Sequence, residues 1–322
     1  MRKISFVIPC YASEKTIASV VSEIEGTISG RADYDYEIIL INDCSPDNVW
    51  REILCLSKNN DKIRGISFAK NFGQHSALMA GYRLATGDII ISLDDDGQTP
   101  ADELYSLVDK LDEGYDVVYA SYENKRHSKF RNLGSSLNNY MCEKLLGKPK
   151  GLMVTSYFAM RDFVCDEICK YENPYTYVIG LVLRTTNNIA TVPVKHRDRK
   201  VGQSGYSLPK LLGLWMNGFT AFSVIPLRLA SLTGMALAFL GFLYVVYIII
   251  NKISNPDVPM GWSSTGAIIL IVGGVVLCVL GMLGEYLGRV YISLNKSPQY
   301  VIRDTTVARK SVQSKMDYQE EI

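Results

Sequence analysis

The chain has 322 residues, with 34 Lys and Arg against 33 Asp and Glu, a formal charge of +1, and 48% hydrophobic residues. That length accommodates one sizeable α/β domain and a smaller module, and the balanced charge offers no global field for nucleic acid. Seven cysteines (Cys10, Cys44, Cys55, Cys142, Cys165, Cys169 and Cys278) include no C-x-x-C pair, which fits packing residues in a reducing compartment rather than a disulfide framework or a zinc site.

Met1-Arg2-Lys3 followed by Ile4 to Ile8 has the look of a signal peptide. Its apolar run is too short and is broken at Pro9, so it is read as a first strand. Further strands are expected at Glu37 to Ile41, Ile63 to Phe68, Ile89 to Leu93 and Val117 to Ser121. Helices are expected near Thr16 to Ser29, Val49 to Asn59, Gln74 to Ala85 and Ala101 to Glu113, the last with Thr99 as N-cap and Pro100 at its first position. Such alternation indicates a mostly parallel sheet covered by helices. In open sheets of this kind ligands gather beyond the carboxyl ends of the strands. Here those ends carry Pro9, Tyr11 and Glu14; Asn42, Asp43, Ser45 and Asp47; Lys70, Asn71 and Gly73; and Asp94, Asp95 and Asp96.

Arg126 to Leu146 reads as a long helix with Arg126, His127, Lys129 and Arg131 at its start, and His196 to Gly205 as a basic, glycine-containing loop. Leu208 to Phe222 suits a helix lying in a membrane interface, and Pro226 marks a break after it. No charged residue occurs from Leu229 to Asn251, and none from Val258 to Gly284, so each run is able to cross a bilayer. Lys200, Lys210 and Arg228 precede the first run and Arg289, Lys296, Arg303, Arg309 and Lys310 follow the second, whereas the intervening loop has only Lys252. The positive-inside tendency therefore places the first domain and the C-terminus in the cytoplasm of an inner or plasma membrane, with the tip from Asn251 to Ser264 on the other side. The expected organisation is an α/β domain over 1–207, an interfacial helix over 208–225, two spans over 226–288 and a cytoplasmic tail over 289–322. Gly273-Gly274, Gly281 and Gly284 offer close helix contacts compatible with a homo-oligomer.

The sharpest local signal is Asp94-Asp95-Asp96-Gly97-Gln98 directly after an apolar strand. Adjacent carboxylates repel one another unless a cation or solvent offsets them, and a hard divalent ion shared with a diphosphate would do so. Alone, the triplet reads almost equally as a solvated acidic turn. A second acidic segment, Asn42-Asp43-Cys44-Ser45-Pro46-Asp47, in the equivalent place one crossover earlier tips the balance towards a nucleotide site. Asp43 is a candidate acceptor for base or ribose, with an Asx-type turn as its bland alternative. Gly73 and Asn71 read as the bend and local cap of a strand-to-helix turn, and His75 as a supporting residue. Arg126, Arg131, Arg199 and Lys200 offer forked or point donors to phosphate, with attraction to anionic lipid as the alternative that suits Lys129 and Lys210. No histidine pair has metal-ligand spacing, and neither a G-x-S-x-G elbow nor a P-loop occurs.

Ile8-Pro9-Cys10-Tyr11, the Asn42 to Asp47 segment, Asn71-Phe72-Gly73, Thr86-Gly87-Asp88 and Asp94 to Gln98 occur in this order, and Gly284-Glu285-Tyr286-Leu287-Gly288-Arg289 with Pro298-Gln299-Tyr300 closes the series. In these segments the chain resembles glycosyltransferase family 2, in its branch of polyprenyl-phosphate glycosyltransferases and dolichyl-phosphate mannose synthases. The resemblance implies a GT-A, Rossmann-like fold followed by a two-helix transmembrane hairpin. It implies a nucleotide-sugar site of Pro9, Tyr11, Glu14, Asp43, Lys70 and Asp95, and a metal site of Asp94, Asp96 and Gln98 for Mg2+ or Mn2+. Arg126, Arg131, Arg199 and Ser204 would hold the acceptor phosphate, with Asp94, Asp96, Arg131 and Arg199 as the catalytic set. This chain has Ala12-Ser13 before Glu14 where the family usually has Asn-Glu, and near Thr155 to Arg161 it lacks the acidic residue and the Arg after Phe common in relatives. The implied reaction moves a sugar from a UDP- or GDP-linked donor to an undecaprenyl- or dolichyl-type phosphate in the membrane, with inversion. A transferase acting directly on a saccharide is the nearest rival, and Gln203-Ser204-Gly205-Tyr206 departs from the Gln-x-x-Arg-Trp element of processive synthases. A non-catalytic membrane scaffold is the rival of another class.

Overall fold

The structure, a computed structural model, describes residues 1–122, 143, 148–149, 151–195, 225–254, 261–295 and 297–307. The chain forms two compact units: Met1–Leu208 together with Ser297–Ile322, and Pro209–Lys296.

The first unit is built on an eight-stranded sheet of order β7-β5-β6-β4-β1-β2-β3-β8. Its strands are β1 (Arg2–Cys10), β2 (Tyr34–Asn42), β3 (Ile63–Phe68), β4 (Ile89–Ser92), β5 (Val117–Tyr122), β6 (Phe158–Arg161), β7 (Ile189–Val194) and β8 (Ile302–Thr305). β4, β1, β2 and β3 run parallel, as the crossover pattern demands, while β6 lies antiparallel between β4 and β5. Residues of both parities are buried in β1 and β2, because helices cover both faces of this central sheet.

The helices follow the apolar spacing. In α1 (Ile17–Ser29) the buried residues are Ile17, Val20, Val21, Ile24 and Ile28, a single stripe at helical period. α2 (Val49–Asn59) and α3 (Gln74–Leu84) cover the neighbouring crossovers. Gly81 lets α3 sit close against the sheet, since a Cβ there would collide with Val7 Cγ1 and lie 2.9 Å from Ile41 Cδ1. The next helix corrects the expected cap. It opens as a 3-10 turn at Ala101–Glu103 and continues as α4 (Leu104–Asp112); Pro100 precedes it in an extended conformation with no side-chain cap bond. Thr99 is buried and pairs with the Tyr122 hydroxyl instead. Two further helices, α5 (Asp162–Cys169) and α6 (Val178–Thr185), follow β6.

At the amino ends of the strands a buried polar knot ties three elements together. Glu37 Oε1 accepts from the Ser5 hydroxyl at 2.6 Å and the Thr86 amide at 2.7 Å, and Oε2 lies 3.1 Å from Lys3 Nζ and 3.2 Å from Arg64 Nη1. Burial pushes the Glu37 carboxyl up, but Ser5, Thr86 and Arg64 outweigh it and hold the group below its ordinary value.

β8 is the departure with the longest reach. It lies in the segment expected to be tail, yet it pairs antiparallel with β3 as an edge strand. In the second unit both apolar runs are helical, as α7 (Ile225–Ser254) and α8 (Trp262–Leu294). Pro226 falls in the first turn of α7 rather than at a break before it, a position where its missing N–H costs nothing. α8 contains Val272–Ile292, 21 residues long and apolar enough to cross a membrane; the apolar stretch found in α7, Gly234–Tyr244, is shorter. Phe239, Phe242, Tyr247, Leu277 and Leu287 project from these helices fully or largely exposed, an arrangement suited to lipid rather than water.

Candidate active site

Four loops at the carboxyl ends of β1, β2, β3 and β4 are bolted to one another by side-chain hydrogen bonds, most of them to backbone amides. After β1 the chain turns through Ala12 in the left-handed region, φ 57°, which a residue with a Cβ seldom adopts. The turn is held from outside: the Tyr11 amide donates to Asp95 Oδ2 at 2.8 Å, the Ala12 amide to Ser45 Oγ at 2.8 Å and the Glu14 amide to Asp47 Oδ2 at 2.8 Å. Glu14 returns the link, accepting from the Asn48 amide at 3.3 Å. Pro9 is the penultimate residue of β1, paired with Ile41, and the Tyr11 ring is 52% exposed above it.

After β2 the turn is made by Asn42, whose Oδ1 accepts from the Ser45 amide at 2.9 Å, and the intervening Cys44 also has a left-handed φ of 51°. Asp43 is thereby released from the Asx-type role considered for it. Its two oxygens accept from the amides of Phe72 at 2.7 Å and Gly73 at 2.8 Å in the loop after β3. Burial raises the Asp43 carboxyl, and those two amides work against the rise. Asn71 does not cap α3; its Nδ2 donates to the Asp43 carbonyl at 3.2 Å, while Gly73, φ 89°, makes the bend. Lys70 is exposed, with its ammonium 5.0 Å from the centre of the Phe72 ring.

The acidic triplet follows β4, at one end of this four-loop rim. Asp94 is oriented by two residues that the sequence did not single out: Gln74 Nε2 donates to its Oδ1 at 3.1 Å, and Ser156 Oγ to its Oδ2 at 2.5 Å. Asp96 Oδ1 accepts from the Gln98 amide at 3.0 Å across Gly97, φ 73°. Asp95 is pushed up to about 6, chiefly by burial, with Ser13 and the Tyr11 amide opposing and the charges of Asp94 and Asp96 adding to the rise. The three carboxylates thus feel one another, and a cation beside them would relieve that repulsion. Among the described residues no three His, Cys, Asp or Glu side chains enclose a metal position by themselves.

His75, one residue beyond Gln74, turns away. Its ring packs edge-on to Tyr177 at 5.2 Å, its buried Nδ1 has no hydrogen-bond partner among the described residues, and burial lowers its pKa to about 4. Arg126, Arg131, Arg199 and Ser204, with His127, Lys129, Lys200 and Lys210, lie outside the described residues. The structure therefore brings together Pro9, Tyr11, Glu14, Asp43 and Asp94 to Gln98, and adds Gln74 and Ser156. Both additions touch Asp94 across long sequence separations, a relation that no local motif encodes.

The profile of Glycosyl transferase family 2 matches residues 5–169, and that of the GtrB C-terminal hairpin matches residues 225–290. Among solved structures, the chain is similar to glucosyl-3-phosphoglycerate synthase from Mycobacterium tuberculosis in complex with Mn2+ and uridine-diphosphate-glucose, at 20% identity over 68% of this chain and 77% of that one, TM-score 0.52. It is also similar to mannosyl-3-phosphoglycerate synthase from Rubrobacter xylanophilus, at 17% identity over 67% and 71%, TM-score 0.50. At such identities these neighbours attest the GT-A fold. With the family profile spanning every loop of the rim, and the strand order and acidic triplet in their places, the chain belongs to glycosyltransferase family 2.

Proposed function

We propose that this enzyme transfers a sugar from a nucleotide sugar to a polyprenyl phosphate at the cytoplasmic membrane face, with inversion at the anomeric carbon. The observation that carries the reading is one chain holding both a latched carboxylate rim and an apolar C-terminal helix pair matching the GtrB hairpin. Asp43 would receive the nucleoside, with Pro9, Tyr11, Glu14 and Lys70 around it. Asp94, Asp96 and Gln98 would hold a divalent cation, Mg2+ or Mn2+, which when bound supplies Lewis-acid neutralisation of the departing diphosphate. Gln74 and Ser156 hold Asp94 in one orientation, so little reorganisation is left for the reacting complex.

A lipid phosphate is already ionised at neutral pH, so its oxygen needs no strong general base. His75, buried and neutral, is accordingly left out of the chemistry. Arg126, Arg131, Arg199 and Ser204 are proposed to align the acceptor phosphate, where most of the rate enhancement would come from positioning. The solved neighbours are named for products built on phosphoglycerate, a water-soluble acceptor. The test is to incubate the purified full-length protein with radiolabelled UDP- and GDP-sugars, Mn2+ and either undecaprenyl phosphate or phosphoglycerate. Label extracted into organic solvent, as the inverted anomer by NMR, is the expected result; label confined to the aqueous phase, or none, overturns it.

A further inference from the structure

The segment following α8 returns to the first unit and packs behind the nucleoside loop. Tyr300 is buried there, its ring stacked on Phe68 with centroids 5.1 Å apart and planes 10° from parallel. Phe68 ends β3, and its other contact is the edge of Phe72, 5.7 Å away at 84°. The Phe72 amide is one of the two donors to Asp43. One stacked and one edge-on ring contact therefore connect the C-terminal segment, through Phe68, to Phe72 and the group read as the nucleoside acceptor. The backbone reinforces the stack, since the Ala69 amide donates to the Val301 carbonyl at 2.9 Å. On its far side the Tyr300 hydroxyl accepts from Arg83 Nη1 at 3.0 Å, in the last turn of α3. That same helix begins with Gln74, the donor to Asp94.

We propose that Tyr300 is a positioning residue for the donor site, fixing Phe68 and Phe72 so that the amides of Phe72 and Gly73 hold the Asp43 carboxylate in place. This rests on reading Asp43 as part of the nucleoside pocket. Gln299, immediately before it, supplies an internal control. Its Nε2 donates to the carbonyls of Tyr171 at 2.7 Å and Asn173 at 2.9 Å, so it tethers the segment through backbone. Its link to Tyr300 runs through the hydroxyl's partner Arg83, which shares the Tyr171 carbonyl, rather than through the rings.

The test measures Mn2+-dependent binding of UDP and GDP to the full-length protein in nanodiscs by calorimetry, with thermal melting in parallel. Tyr300→Phe keeps the stack and should bind like the parent. Tyr300→Leu and Tyr300→Ala should weaken nucleotide binding about fivefold, the scale of one aromatic pair. Gln299→Ala should lower the melting temperature and leave affinity unchanged. Should Tyr300→Ala fail to melt cooperatively, Tyr300→Leu decides. Parent-like affinity in Tyr300→Leu, or equal weakening in Gln299→Ala, overturns the positioning role while leaving the donor site intact. A parent protein that binds neither nucleotide overturns the donor-site reading itself, and this role with it.

Discussion

The two ends of the same parallel strands treat buried carboxylates in opposite ways. At the amino ends Glu37 is surrounded by Ser5, Thr86, Lys3 and Arg64 and titrates below its ordinary value. At the carboxyl ends Asp43 and Asp95 titrate above theirs, held by neutral amides and, for Asp95, crowded by two further carboxylates. One cluster is complete within the chain and stabilises it. The other carries a like-charge repulsion, in which Asp94 and Asp96 add to the rise of Asp95, of the kind that a bound cation would relieve. The contrast separates a carboxylate tied into the fold from carboxylates proposed to serve the donor site, although both sit at the ends of one sheet.

The largest expected effect lies at the carboxyl end. Asp96→Ala should lower metal-dependent turnover by about 100-fold or more, as removal of a group that stabilises developing charge does. Its unfolding free energy from urea melts should stay within about 0.5 kcal/mol of the parent's. Turnover close to the parent's would erase the distinction between the two ends.

Glu37→Ala should reverse that pattern. Leaving Lys3 and Arg64 partly buried without their partner should cost about 2–3 kcal/mol of stability, while turnover per folded molecule remains that of the parent. Because the folded pKa is depressed, this contribution is full above the ordinary value of 4.5 and is lost as pH falls through the folded pKa. Urea melts below and above that value give the sign.

A smaller effect comes from His75. Its folded pKa of about 4 lies below the ordinary 6.5, so the unfolded chain takes up the proton first as pH falls. Its contribution is thus full above 6.5 and drains away towards 4. Between pH 7.5 and 5 the parent should lose about 2 kcal/mol more than His75→Gln, read from paired urea melts. An identical loss in both proteins would show that burial does not hold His75 neutral in the folded chain.

What was legible in the sequence follows from what local pattern encodes. β1 to β5 stood out because their β-branched runs are buried on both faces, and α1 because its apolar residues share one stripe. β6 and β8, each four residues long, have no such run, and β8 pairs with a strand more than 200 residues earlier, with Thr305 opposite Ile66. Pro193 in β7 also argues against a strand, yet β7 lies at the sheet edge, where a missing donor is tolerated. Thr99-Pro100 satisfied a local capping rule that the extended Pro100 backbone does not use. At the site, Asp43 and the Asp94 to Asp96 triplet announced themselves as acids after strands. Their supports, Phe72, Gly73, Gln74 and Ser156, come from other loops, and only the fold brings them into register.

The most direct measurement of the central claim is nucleotide binding to the full-length protein with and without Mn2+, compared with Asp94→Asn/Asp96→Asn in the same nanodiscs. The account predicts UDP or GDP binding that Mn2+ strengthens at least tenfold in the parent, about 1.4 kcal/mol, and leaves unchanged in the double variant. Equal strengthening by Mn2+ in both proteins would contradict it.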